Sequence, residues 1–72
     1  MMTFRKYDVN ATDIQDAWVA TNTVSQEVNI FLNTLGEYEV WVDEEFHTSY
    51  NTFFEAQRYA EYAATTTLNW KQ

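Results

Sequence analysis

The sequence predicts an α+β fold in which a small antiparallel sheet of three to four strands carries two helices on one face, in the order β-α-β-β-α-β. Three observations lead to this prediction. Residues 14–35 place apolar side chains three and four positions apart, as an amphipathic helix does. Residues 37–43 alternate between two faces, as a strand does. Residues 53–63 return to helical spacing.

The first strand and the long helix follow from local signals. Residues 3–9 favour a strand, which stops at the turn former Asn10. Thr12 and Gln15 then form a capping box, so a helix is predicted from Asp13. The only glycine of the chain, Gly36, suits the left-handed position after a helix that ends at residue 35.

This long segment has an alternative interpretation as two helices. Thr21, Asn22 and Thr23 are poor helix formers, and Thr23 with Gln26 makes a second capping box. A break near Asn22 therefore stays open, although the continuous apolar stripe favours one helix.

The clearest strand of the sequence covers residues 37–43. Side chains on one of its faces are Tyr38, Val40 and Val42, and those on the other are Glu37, Glu39, Trp41 and Asp43. Residues 43–45 indicate a turn, and residues 46–50 alternate again, so the sequence predicts a hairpin.

The C-terminal third predicts a helix and a short strand. Thr52 and Glu55 form a capping box at the start of the helix, which should end near Ala64. The β-branched residues 65–67 then favour a last strand up to Trp70. The resulting order is similar to the ferredoxin-like arrangement, with a three-stranded or two-stranded α+β variant as the alternative.

Composition limits the classes of function. The 72 residues predict one domain, 1–72, and include 11 acidic residues, 4 basic residues and no cysteine, for a formal net charge of -7. With so few cations we expect no direct nucleic-acid binding and no membrane binding. The absence of cysteine, of a leader segment and of a long apolar stretch favours the cytoplasm.

Catalytic and metal chemistry are not indicated. The single histidine, His47, has no convincing nucleophile beside it in the sequence. The run that includes Asp43 and Glu45 lacks the ligand alternation and the glycine of a calcium loop. We therefore expect no enzyme, no metal and no cofactor.

The candidate partner-binding residues lie in the second predicted strand and the turn after it. Thirteen aromatic residues are too many for the core of so small a domain, so some rings should be exposed. Trp41 would project among carboxylates, an arrangement that suits an arginine-rich partner. The alternative is that Trp41 is covered by the termini or a loop. The predicted site consists of Glu37, Glu39, Trp41, Asp43, Glu44 and Glu45.

These features predict a small acidic protein-binding module that occupies a basic surface on a larger protein, as an inhibitor or accessory factor. Its character is comparable to that of phage-encoded accessory proteins and acidic antitoxins, although no motif identifies a family. The alternatives are a structural subunit that self-associates through exposed rings, including a homodimer joined along the helical stripe, and a nucleic-acid mimic.

Overall fold

A computed structural model describes residues 2–21 and 25–65, which form five strands followed by one helix. Each strand pairs antiparallel with the next along the chain, so the sheet has the order β1-β2-β3-β4-β5. The helix packs over β3, β4 and β5. The elements are β1 (Arg5–Tyr7), β2 (Ile14–Thr21), β3 (Glu27–Asn33), β4 (Tyr38–Val42), β5 (Glu45–Tyr50) and α1 (Phe53–Thr65).

The predicted β-α-β-β-α-β order is wrong, because the described residues contain five strands and a single helix. The segment interpreted as a long helix, whether continuous or broken, forms the antiparallel pair of β2 and β3. Its apparent helical stripe combines residues from two sheet faces, since Val28 lies in the core whereas Phe31 points to the other side. Strand pairing across the sheet therefore outweighs the three-and-four spacing.

Gly36 lies in the turn between β3 and β4 instead of at the end of a helix. Its φ is 86°, a left-handed conformation that glycine adopts without strain. Its N–H donates to the carbonyl oxygen of Asn33 at 3.2 Å, and the N–H of Asn33 donates to the carbonyl oxygen of Glu37 at 2.9 Å. The glycine thus closes a β-hairpin.

The hairpin predicted over residues 37–50 is present as β4 and β5. Asp43 and Glu44 connect the strands with φ values of 50° and 67°, the positive pair that a type I′ turn requires. The Asp43 carboxylate accepts a hydrogen bond from the N–H of Glu27 at 3.0 Å, and the Asp43 N–H donates to the Glu27 carbonyl at 2.8 Å. These bonds tie the turn to the start of β3.

The predicted second helix is present as α1. The Thr52 hydroxyl accepts a hydrogen bond from the N–H of Glu55 at 3.1 Å, as the capping box predicts. Ala56 and Ala60 are fully buried, so the helix approaches the sheet closely. No helix in the described ranges is long and apolar enough to span a membrane. The predicted last strand, up to Trp70, lies outside the described residues.

The core lies between one face of the sheet and α1. Its largest fully buried side chains are those of Val28, Ile30, Val40 and Val42. None of the buried core residues in the described ranges is aromatic. Rings pack instead around the margin of this aliphatic cluster, where they are partly buried: Phe4, Trp18, Tyr38, Tyr50, Phe53 and Tyr59.

Replacing Ile30 by alanine should lower the free energy of unfolding by about 2 to 5 kcal/mol, because it leaves a cavity in the centre of the core. Ile30→Val should lower it by about 0.5 to 1.5 kcal/mol, so the measurement remains possible if the alanine variant unfolds. Leu35→Ala is the control: its side chain is 83% exposed, and a change below about 0.5 kcal/mol is expected. Urea titration gives all three values, and equal effects at Ile30 and Leu35 would contradict this core.

Candidate protein-interaction face

The face of the sheet turned away from α1 carries a connected set of large and polar side chains. We call it the open face. Because neighbouring residues of a strand point to opposite sides, its members alternate with the residues of the core. Cross-strand pairing places the following residues on it: Arg5, Tyr7, Ala17, Val19, Asn29, Phe31, Glu39, Trp41, Phe46 and Ser49.

Three rings form a row across the open face. The Trp41 ring lies 6.1 Å from that of Phe31 and 5.8 Å from that of Phe46, with interplanar angles of 69° and 70°. Such edge-to-face pairs are each worth about 0.5 to 1.5 kcal/mol beyond the area they bury. Phe46 is 49% exposed, whereas Phe31 and Trp41 are half-buried. The three rings, which we call the aromatic row, link β3, β4 and β5.

A carboxylate is held against the central ring of this row. The indole N–H of Trp41 donates to Oε1 of Glu39 at 3.0 Å, and the side-chain amide of Asn33 donates to Oε2 at 2.8 Å. Both donors are neutral. The described residues contain one ion pair, between Lys6 and Asp16 at 3.2 Å, so Glu39 has no cation as a partner within them.

Asn33 orients this carboxylate because its own side chain is fixed at both ends. Its Oδ1 accepts hydrogen bonds from the N–H groups of Leu35 at 2.9 Å and Glu37 at 3.0 Å. Its Nδ2 donates to Glu37 at 3.2 Å as well as to Glu39. The turn between β3 and β4 thereby fixes the direction in which the amide donates.

The structure brings only part of the predicted site together. Glu37, Glu39 and Trp41 meet around Asn33. The other predicted residues lie at the opposite end of β4, about 13 Å further along the strand. They are Asp43 and Glu44 in the turn and Glu45, which is paired with Val42 at the start of β5.

Two grooves flank Phe31 on the open face. The first has a volume of about 420 Å³ and is lined mainly by Asp13, Phe31, Leu35, Glu39 and Trp41. We call it the Trp41 groove. The second has a volume of about 470 Å³, and its charged lining residues are Arg5, Glu27 and Glu44. The first groove is therefore acidic and aromatic, whereas the second carries charges of both signs.

A part-buried hydrogen bond between two residues of the second groove joins β1 to β3. The Tyr7 hydroxyl donates to Oδ1 of Asn29 at 2.7 Å, and Asn29 is only 7% exposed. Burial raises the pKa of Tyr7 above its usual value of 10.0, and the nearby Glu27 carboxylate raises this pKa further. The hydroxyl therefore stays protonated and donates its hydrogen bond over the neutral range.

Several residues of this face are absent from the predicted site. Phe31 and Asn33 fall in the predicted long helix, and Phe46 falls in the second strand of the predicted hairpin. Their signal in the sequence is the alternation of residues 29, 31 and 33 with the apolar residues 28, 30 and 32. Asp13 lies outside the strands and reaches the groove only through the folded structure.

His47 lies beside the helix, where its Nδ1 is 3.4 Å from the hydroxyl oxygen of Tyr59. Burial raises the pKa of Tyr59, and its neighbours Tyr50 and Tyr62 add to the shift. Over residues 2–21 and 25–65, no group of three or more histidine, cysteine or acidic side chains is placed to hold a metal ion.

Within residues 2–21 and 25–65, the fold and the open face are those of an acidic α+β protein, a five-stranded antiparallel meander with one helix on one side. Comparisons with protein-family models, with curated protein sequences and with solved structures found no match.

Replacing Tyr7 by phenylalanine should lower the free energy of unfolding by about 1 to 3 kcal/mol, since it leaves the buried Asn29 oxygen without its donor. Because the folded-state pKa of Tyr7 is raised, its contribution is complete below pH 10 and is lost as the pH rises further. The stability difference between the parent and Tyr7→Phe should therefore shrink above pH 10.

Urea titrations between neutral pH and about pH 11 measure this difference. Tyr38→Phe is the control, because the Tyr38 hydroxyl makes no hydrogen bond within the described residues and its ring packs at the core margin. A difference for Tyr7→Phe that stays constant through pH 11 would contradict the link to ionisation.

Proposed function

We propose that this protein is a small acidic protein-binding module that holds its open face against a basic surface of a larger protein. In this proposal it acts as an inhibitor or accessory factor of phage or antitoxin type, in the cytoplasm, and has no catalytic activity. One observation carries the proposal: the half-buried Trp41 lies in a row of rings on the outside of the sheet, with its indole bonded to a carboxylate that lacks a cation among the described residues.

The aromatic row has the composition of a binding hot spot. Tryptophan and other large rings contribute most of the binding energy at many interfaces, especially where they lie at the centre of a patch that a partner can desolvate. Phe31 and Phe46 hold Trp41 in place through edge-to-face contacts. A ring that is already fixed loses little conformational entropy when it binds.

Charge supports a basic partner. The formal net charge is -7, and the acidic side chains Asp13 and Glu39 line the groove beside Trp41. A positively charged protein surface would be attracted over a distance of about 10 Å at about 0.1 M salt, which raises the rate of encounter. Carboxylates at the two ends of β4 form separate groups, so a local patch is favoured over an extended copy of a phosphate backbone.

Replacing Phe46 by alanine should reduce capture of the natural partner, because it removes the exposed end of the aromatic row. Phe54→Ala is a matched control, since Phe54 is 64% exposed but lies on α1, on the other side of the sheet. The two variants and Trp41→Ala are each immobilised and exposed to host lysate at about 50 mM and about 500 mM salt, and the captured proteins are quantified by mass spectrometry.

The expected result is a basic protein that the parent and Phe54→Ala retain, that Phe46→Ala and Trp41→Ala lose, and that high salt releases. The purified partner should show the same order of affinities. The proposed face would be contradicted if all variants retained the partner protein equally. It would also be contradicted if Phe54→Ala lost the partner as completely as Phe46→Ala and Trp41→Ala do. Urea titration of each variant separates a lost contact from a lost fold.

Self-association is a second candidate function, favoured by exposed apolar side chains on the same face. Leu35 is 83% exposed beside the Trp41 groove, and Phe46 ends the aromatic row. A structural subunit could pair two such faces. The homodimer seam predicted along a helical stripe is not proposed, because those residues form strands.

Sedimentation velocity separates the two candidates. If the open face serves a basic partner, the protein should sediment as a monomer over a range of concentrations, because two copies with a net charge of -7 repel each other. If the face self-associates, a dimer should form and high salt should strengthen it, because screening weakens repulsion while burial of rings persists. A dimer abolished by Phe46→Ala but not by Phe54→Ala would overturn the first candidate.

A further inference from the structure

We propose that the Trp41 groove is a binding site for an arginine side chain of the partner protein. The inference rests on the proposed function and names the residue type that the open face recognises. The groove combines ring surfaces, a fixed carboxylate and a second carboxylate at its edge within about 420 Å³. An arginine side chain has an apolar stem and a planar charged head, and each part finds a complementary surface there.

The apolar walls suit the stem and the flat face of the guanidinium. Phe31 and Trp41 both line the groove with their rings 6.1 Å apart, and Leu35 contributes an exposed aliphatic surface. A guanidinium stacks on an indole within about 6 Å of the ring centroid, and arginine makes such contacts more often than lysine. Stacking at Trp41 brings the charge next to the carboxylate that the same indole holds.

Glu39 retains acceptor capacity for two further hydrogen bonds. An ionised carboxylate has about four lone-pair sites on its two oxygens. One site on Oε1 is used by Trp41, and one on Oε2 is used by Asn33. One site therefore remains on each oxygen, so Glu39 has the capacity to accept two N–H groups of a guanidinium, one on each oxygen.

The carboxylate is also oriented before a ligand arrives. Asn33 cannot rotate its amide freely, because its Oδ1 is held by two backbone N–H groups of the turn. Trp41 is held between the other two rings of the aromatic row. A guanidinium would therefore meet a carboxylate whose orientation needs little rearrangement, which favours a group of fixed geometry.

The charge of the groove is not balanced within the described residues. Asp13 is exposed at its edge and Glu39 is half-buried, and neither forms an ion pair there. An incoming cation would therefore replace no existing salt bridge. Lysine would satisfy the charge, but its strongly hydrated ammonium group can neither stack flat on the indole nor bind both oxygens in parallel.

Short peptides test this assignment directly. Acetylated and amidated Gly-X-Gly peptides, in which X is arginine, lysine, trimethyllysine or citrulline, are titrated into the ¹⁵N-labelled full chain at low salt. The reporters are the indole N–H signal of Trp41 and the side-chain amide signals of Asn33. Citrulline has nearly the shape of arginine without its charge, so it separates stacking from ion pairing.

The arginine peptide should shift these signals in a saturable way, with a dissociation constant on the order of 1 mM. The lysine peptide should bind at least about threefold more weakly, and citrulline should give no saturation. Glu39→Gln should weaken arginine binding by at least about fivefold, because it removes the charge and one acceptor oxygen. A trimethyllysine peptide that binds more tightly than arginine would overturn the assignment in favour of a quaternary ammonium site.

Two further variants keep the test decisive. Asp13→Asn removes a charge from the edge of the groove without changing the hydrogen bonds of Glu39, and it should weaken arginine binding by about twofold. Glu61→Gln makes the same kind of charge change on α1, behind the sheet, and should leave binding unchanged. Equal weakening by Glu61→Gln, or none by Glu39→Gln, would overturn the site.

The outcomes distinguish this inference from the proposed function. Arginine and lysine peptides of equal affinity, together with partner capture that depends on Phe46, would overturn the arginine site and leave the protein-binding face intact. Selective arginine binding at Trp41, together with partner capture that does not depend on Phe46, would support the arginine site and overturn the proposed protein-binding function of the open face. An arginine peptide that leaves the Trp41 and Asn33 signals unchanged would overturn the assignment of the groove.

Discussion

The structure depends on one constraint: a five-stranded sheet has two faces, and the described residues provide a single helix to cover them. The helix α1 has 13 residues, so it is about 20 Å long and shields only one side. Small aliphatic side chains fill the space beneath it. On the other side, side chains of the described strands shield the sheet, and Ala17 and Asn29 are buried there at the centre of the open face. The external rings thus follow from the topology.

The same constraint explains why polar side chains accompany the rings. A half-buried indole N–H is costly unless it donates a hydrogen bond, and Glu39 on the same strand face supplies the acceptor. A carboxylate next to rings needs donors in turn, and Asn33 supplies one. The edge strand β1 is protected differently, since it has only three residues and carries Arg5 and Lys6. The exterior therefore combines exposed rings with charges that oppose unspecific association.

Local signals in the sequence predicted β4, β5 and α1, the elements between residues 38 and 65. Alternation and turn residues identified the hairpin of β4 and β5, and a threonine cap with buried alanines identified α1, because each element is determined by residues close in sequence. Residues 14–35 were misassigned because their apolar positions fit two periods. Pairing of Trp18 with Ile30 and of Ala20 with Val28 decides between the helical spacing and the strand alternation. Such cross-strand contacts cannot be predicted from the spacing of apolar residues along the chain.

In the candidate site, too, contacts within one strand were predictable and contacts between strands were not. The relation between Glu39 and Trp41 was predictable, since residues two apart on a strand share a face. The contributions of Phe31, Asn33 and Phe46 were not, because they depend on the register of β3 and β5 against β4. A correct interpretation of residues 29–33 as a strand would have placed Phe31 on one face but would not have shown which ring it meets. Register is set by the sheet as a whole.

Asn33 connects the fold to the binding chemistry proposed for the open face. It ends β3, accepts the backbone hydrogen bonds that shape the turn around Gly36, and uses its remaining donors on two carboxylates. The turn geometry thereby determines the position of Glu39 relative to the Trp41 ring. A carboxylate on a flexible loop would lose conformational entropy on binding, whereas this one lies on a paired strand and is held by two donors. The β3–β4 hairpin inside the sheet is therefore also what fixes the carboxylate of the groove proposed to bind a cation.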